Sequence, residues 1–237
     1  MKNYRSNKGP FKERPYFTDE EIETTCIDAL RGVDLLPSKP QPIRIDRFIE
    51  KHFKITASYQ PLEKGVLGLT VFGKAGVKEI VVSSEIDEGG TAASERLVRS
   101  TLAHEAGHGL FHTHLFAFDD LSTPLFGDQS DPAQPKVLCR DVGGVGRAAS
   151  GRKYDGAWWE YQANKAIGAL LLPKHLVVAL VEEFCVPSGL LGLKEFDSTR
   201  EREAVRLLME TFDVNAPVAE IRLRQLYPVG EGMQPLL

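Results

Sequence analysis

Cysteine is scarce in this chain. Cys26, Cys139 and Cys185 are three in 237 residues, odd in number and widely spaced. That pattern argues against a disulfide framework and suits a reducing compartment, so a cytoplasmic protein is expected. No run of about eighteen apolar residues occurs, which leaves no candidate for a membrane-spanning helix. No apolar stretch follows Met1, so no secretory signal is expected. Positive charge is not in excess either. Lys and Arg total 29 against 33 Asp and Glu, a net charge of −4, and no global basic field points to nucleic acid. The exception is local: Lys2, Arg5, Lys8, Lys12 and Arg14 crowd the first fifteen residues, which read as a flexible basic tail. Internal repeats and low-complexity tracts are also missing.

What is present is an ordinary balance of 42% hydrophobic and 26% charged residues, enough to bury a core. Thr18 followed by Glu21 has capping-box spacing and opens a helix over residues 19–31. Three prolines between residues 36 and 42 mark a linker. Ile45, Phe48 and Ile49 recur at helical spacing over residues 44–52. The period then changes to short β-prone runs at 55–60, 66–72 and 77–83, separated by glycine turns, which predict an antiparallel meander. A helix follows over residues 91–113, with Val98, Leu102, Ala106 and Leu110 as its apolar stripe and Thr91 or Ser94 as its cap. Residues 118–155 form a long loop in which only 136–140 suggests a strand. Helices return at 158–172, 175–184 and 198–212, the last opened by a capping box from Ser198 to Glu201, and Pro217 lies in the first turn of a final one. The expected fold is α+β. It comprises the tail (1–15), a domain over 16–187 with a small antiparallel sheet packed on helices, and a C-terminal helical subdomain over 188–237.

The informative motif is His104-Glu105-Ala106-Gly107-His108. On a helix the two histidines lie about 40° apart, one turn above the other, which is the geometry two imidazoles need to hold one metal. Glu105 lies about 100° from His104. It stays out of the ligand pair but can reach an attacking water. Zinc-assisted hydrolysis with Glu105 as general base fits this pattern.

Catalytic zinc usually takes three protein ligands, and two residues compete for the third place. His114 stands at the offset of HExxHxxGxxH, but Phe111 occupies the position where that pattern needs a glycine to end the helix. A continuous helix would carry His114 about 15 Å along the axis from His104. His112, four residues after His108, reads as a helix-end histidine. Glu160 is the other candidate, in Trp158-Trp159-Glu160-Tyr161-Gln162-Ala163-Asn164. There Asn164, one turn on, can hydrogen-bond a ligating histidine and fix its tautomer. Spacing alone leaves Glu160 open between ligand and solvated acid.

The HExxH helix, preceded by Ser100-Thr101-Leu102-Ala103, together with Glu160-x-x-Ala163-Asn164 and Leu170-Leu171-Leu172-Pro173, resembles the ImmA/IrrE metallopeptidases. These are small cytoplasmic gluzincin-like proteins. Leu207-Leu208-x-x-x-Phe212-x-Val214 and Arg222-Leu223-x-x-Leu226 are similar to the helix-turn-helix-like tail common there. The resemblance implies His104, His108 and Glu160 as zinc ligands and Glu105 as catalytic base. It also implies a protein or peptide substrate, such as a transcriptional repressor. The insertion over 118–155 lengthens the usual spacing between His108 and Glu160. A competing expectation is a zinc-binding regulatory or DNA-associated factor without efficient proteolysis, or the toxin of a toxin–antitoxin pair. Tyr154, Tyr161 and His175 are candidates to stabilise an oxyanion. Cys139 is a candidate reversible ligand, set against a buried thiol on a strand.

Overall fold

The computed structural model describes residues 2–5, 13–73, 75–117, 136–141, 158–188 and 193–228. These residues form an α+β protein. Helix α1 (Asp19–Gly32) begins where expected: Thr18 Oγ1 accepts from the Glu21 backbone, and the Glu21 carboxylate accepts from the Thr18 backbone. Helix α2 (Ile45–Phe53) buries Ile45, Phe48 and Ile49, the residues that carried its periodicity. Among the described residues no helix is long and apolar enough to cross a membrane.

The N-terminal segment differs from its expected form. Strand β1 (Lys2–Arg5) pairs antiparallel with β2 (Glu13–Tyr16), Asn3 lying opposite Pro15. Charge composition suggested a tail because it carries no information on backbone pairing.

The central sheet is mixed rather than a meander. Its order is β3 (Ser58–Gln60), β5 (Gly76–Ser83), β4 (Val66–Gly73), β6 (Lys136–Asp141), and β3 runs parallel to β5. Period-2 patterning locates strands but not their neighbours. Five residues separate β3 from β4. They can span the roughly 10 Å needed to pass over one intervening strand. Strand β6 lies antiparallel along β4, so part of the long insertion is an edge strand of this sheet.

After the short helix α3 (Ser84–Asp87), α4 (Ala92–Ala117) crosses β4 and β5. Thr91 caps it, its Oγ1 accepting from Ser94 N at 3.1 Å. Helix α5 (Trp158–Leu171) packs along α4 and against α1. Pro173 ends that run and leads into α6 (Lys174–Val181). A 3₁₀ turn and the ribbon of β7 (Cys185–Ser188) and β8 (Leu193–Phe196) follow; the ribbon had no period long enough to announce it.

Helix α7 (Glu201–Phe212) starts three residues later than the expected cap at Ser198. Asp197 caps the intervening 3₁₀ turn, accepting from Thr199 N at 2.9 Å. Helix α8 (Ala216–Leu226) follows the left-handed Asp213 (φ 54°). The last two helices join the main core. Ala204, Leu208, Phe212 and Leu223 belong to one hydrophobic cluster with Ile22, Leu30, Leu102 and Leu170. Ion pairs reinforce the seam. Arg96 and Arg99 of α4 bind the Asp213 carboxylate at 2.8 and 3.0 Å. Arg222 of α8 donates to Leu172 O at 2.9 Å and pairs with Glu23 of α1.

Candidate metal site

Two close approaches build the site. Gly68 of β4 lies under α4, where a β-carbon would come within 2.6 Å of Thr101 Cγ2 and 3.0 Å of Glu105 Oε1. Gly107, inside the motif, lies against α5, where a β-carbon would come within 2.7 Å of Ala166 Cβ and 3.2 Å of Ala163 Cα. Removing both β-carbons lets the helix touch strand and helix at once. Glu160, one turn before Ala163, is thereby brought over the motif.

His104, His108 and Glu160 converge, with one ligand atom from each lying within 4.8 Å of the others. His104 Nε2 is 3.1 Å from Glu160 Oε2, and His108 Nε2 is 3.3 Å from Glu160 Oε1. These separations lie close to the edge of about 3.4 Å expected between ligands that share a tetrahedral ion with bonds of about 2.1 Å. The histidine side chains are 0–1% exposed and that of Glu160 is 26% exposed, so the carboxylate lies toward the open side.

The donor set passes a chemical test for a cation. His108 Nε2 is buried and makes no hydrogen bond, yet it faces a carboxylate oxygen. His104 Nδ1 lies 3.2 Å from Asn164 Oδ1. A hydrogen on Nδ1 satisfies that contact and turns the Nε2 lone pair toward Glu160. Lone pairs facing a carboxylate need a positive ion between them.

Glu105 is fully buried beside the cluster. Thr70 Oγ1 of β4 lies 2.7 Å from Glu105 Oε2 and 3.1 Å from Glu105 O. The hydroxyl thus holds the carboxylate in a fixed direction.

His114 remains on α4, which runs on through Phe111 to Ala117, and it does not belong to the three-residue cluster found among the described residues. His112 is not a surface residue at a helix end. It is fully buried, with Nδ1 2.9 Å from His108 Nδ1 and Nε2 3.0 Å from Gln162 Oε1. Desolvation, then the neighbouring His108, pushes its pKa well below the usual imidazole value. Gln162 and Thr70 carried no signal in the sequence beyond lying within predicted elements. Of the oxyanion candidates, Tyr161 is 45% exposed beneath the Lys165 ammonium and His175 is exposed. Tyr154 and the Cys139 side chain lie outside the described residues.

No protein-family model and no curated protein matches this chain.

Proposed function

We propose that this protein is a zinc-dependent metallopeptidase acting on a protein or peptide. The carrying observation is the convergence of His104, His108 and Glu160 beside a carboxylate, Glu105, that a separate strand holds through Thr70. His104 and His108 would bind the ion through Nε2 and Glu160 through its carboxylate. Zinc, when bound, supplies Lewis acidity that polarises the scissile carbonyl and acidifies water. Glu105 takes the proton from the attacking water and delivers it to the leaving amine, and Thr70 keeps the carboxylate aimed. The sequence resemblance to ImmA/IrrE proteins points to a folded regulator such as a transcriptional repressor as substrate, in a reducing cytoplasm.

The competing reading, a DNA-associated factor, would need basic side chains free on the last two helices. Arg222 is buried on Glu23 and Leu172 O, and Arg224 pairs with Glu201 at 3.2 Å. Only Arg202 and Arg206 stand exposed on α7, interleaved with Glu203 and Glu210.

The test is cleavage of a peptide or protein library by the zinc-loaded full chain. Chelator should stop it. Glu105→Gln should keep zinc while cleavage falls about 10²- to 10⁴-fold. Equal cleavage by both proteins removes Glu105 from the mechanism. Zinc binding without cleavage, together with salt-dependent duplex binding lost in an Arg202→Ala/Arg206→Ala variant, favours the rival.

A further inference from the structure

A chain of hydrogen bonds runs from the metal cluster back to the N-terminal ribbon, and its direction is determined at one end. The Pro15 carbonyl can only accept. Gln162 Nε2 donates to it at 2.8 Å, so the amide oxygen is turned the other way, 3.0 Å from His112 Nε2. That nitrogen must therefore carry hydrogen. The ring is buried against an amide, an indole and another imidazole, with no carboxylate contact among the described residues to hold an imidazolium, so its other nitrogen is an acceptor. The 2.9 Å contact between His112 Nδ1 and His108 Nδ1 accordingly has His108 donating. With its hydrogen on Nδ1, His108 keeps a lone pair on Nε2, the buried atom that faces Glu160 Oε1.

We propose that His112 and Gln162, anchored on the Pro15 carbonyl, are positioning residues that lock His108 in the Nδ1–H tautomer and hold its Nε2 lone pair toward the metal. His104 takes the same form from Asn164, so the two ligands are set by separate partners. The relay for His108 spans 147 positions of sequence between Pro15 and Gln162 and makes the N-terminal segment part of the support of the site. Trp158 packs edge-on against His112 with centroids 5.6 Å apart and helps keep that ring in its plane. Metal-bound histidine depends on such partners for affinity, by about 10- to 100-fold.

The inference rests on the metal-site reading, and its test separates the two. Long-range ¹H–¹⁵N correlation of the imidazoles in metal-free, full-length protein reads each tautomer directly. The expected result is hydrogen on Nδ1 of His108 and on Nε2 of His112. Hydrogen on Nε2 of His108 overturns the relay, whether or not zinc binds. Zinc competition against a chromophoric chelator gives the second readout. Gln162→Met removes the acceptor at similar volume, and zinc affinity should fall about 10- to 100-fold as the His108 tautomer becomes mixed. Gln162→Glu should restore most of the affinity, because a protonated carboxyl can both donate to Pro15 O and accept from His112. If Gln162→Met keeps wild-type affinity and the His108 tautomer, the relay is refuted. If the wild type binds no zinc, the metal reading fails, and the spectrum alone decides the relay.

Discussion

Gly107 stands where α4 and α5, which carry the proposed ligands, touch, so Gly107→Ala tests how the site is assembled. The added methyl would lie 2.7 Å from Ala166 Cβ and 3.2 Å from Ala163 Cα and Ala163 O. Carbon atoms rest at about 3.5–4.0 Å, and neither alanine has a rotamer to yield, so α4 and α5 must part by about 1 Å. Two stability effects then oppose each other. Alanine gains about 1 kcal/mol of helix propensity over glycine, and overpacking costs about 1–3 kcal/mol. The net loss of about 0–2 kcal/mol lowers Tm by at most about 8 °C in a chain of this size, too small and variable to decide anything. Metal binding is the sharper readout. Glu160 moves with α5, away from nitrogens now 3.1 and 3.3 Å from its oxygens, whereas metal–ligand distances tolerate only about 0.2 Å. Zinc affinity, measured by chelator competition, should fall on the order of 100-fold, as misplacements of about 1 Å do at reacting centres. Adding Ala166→Gly removes the nearest clash and should recover most of the loss, a coupling expected only of touching residues. A Gly107→Ala protein that binds zinc like wild type, or a double variant no better than the single, would refute the packing explanation.

Other outcomes follow from the same contacts. Glu160→Ala should abolish tight zinc binding and His114→Ala should leave it intact, as measured by metal content after dialysis; the reverse pattern would overturn the ligand set. Cys26 is fully buried, and desolvation followed by the nearby Glu23 raises its thiol pKa far above neutrality. Maleimide at pH 7.5 should therefore modify the half-buried Cys185 in the native protein and reach Cys26 only after urea; comparable rates mapped by mass spectrometry would contradict this. Arg222→Met leaves the Glu23 carboxylate, 13% exposed, without its charged partner, with only Lys174 N, among the described residues, still donating to it, and strips Leu172 O of a donor. Breaking a buried pair in this way should cost about 3–5 kcal/mol in urea unfolding, and a loss under 1 kcal/mol would show the pair to be ornamental.

The pairing of His104 with His108 was legible because helix geometry alone puts residues four apart on one face. Asn164 was legible for the same reason: it had to lie one turn beyond Glu160, and it meets His104 Nδ1. The same spacing misled at His112. Four residues past His108 fits a helix end as well as a buried relay, and what decides is Gln162, fifty residues away on another helix. The strands were visible as β-prone runs, but the parallel pairing of β3 with β5 depends on which loop crosses which strand, and periodicity is silent on that. Within HEAGH and ExxAN the positions usually written as small spacers hold the geometric content. Gly107 and Ala163 are small because the helices meet there, and a pattern of ligands alone does not record distance.

A structural zinc site and a hydrolytic one make different demands, and the proposed hydrolytic reading accounts for more of what surrounds this cluster. A structural site closes four protein ligands on the ion, while a catalytic one keeps a position open. Among the described residues the cluster has three members, and the carboxylate that completes it is the partly exposed one. A structural site also has no use for a second acidic group. Glu105 is nonetheless buried at 0% exposure directly beside the ligands, at a desolvation cost of several kcal/mol for a carboxylate. Strand β4 accommodates it twice, through the Thr70 hydroxyl and through the missing β-carbon at Gly68. Local violations of packing economy concentrate where chemistry is done. A carboxylate buried at such cost, and aimed by a hydroxyl from another element, supports the proposed proton-transfer role of Glu105 over retention of zinc alone.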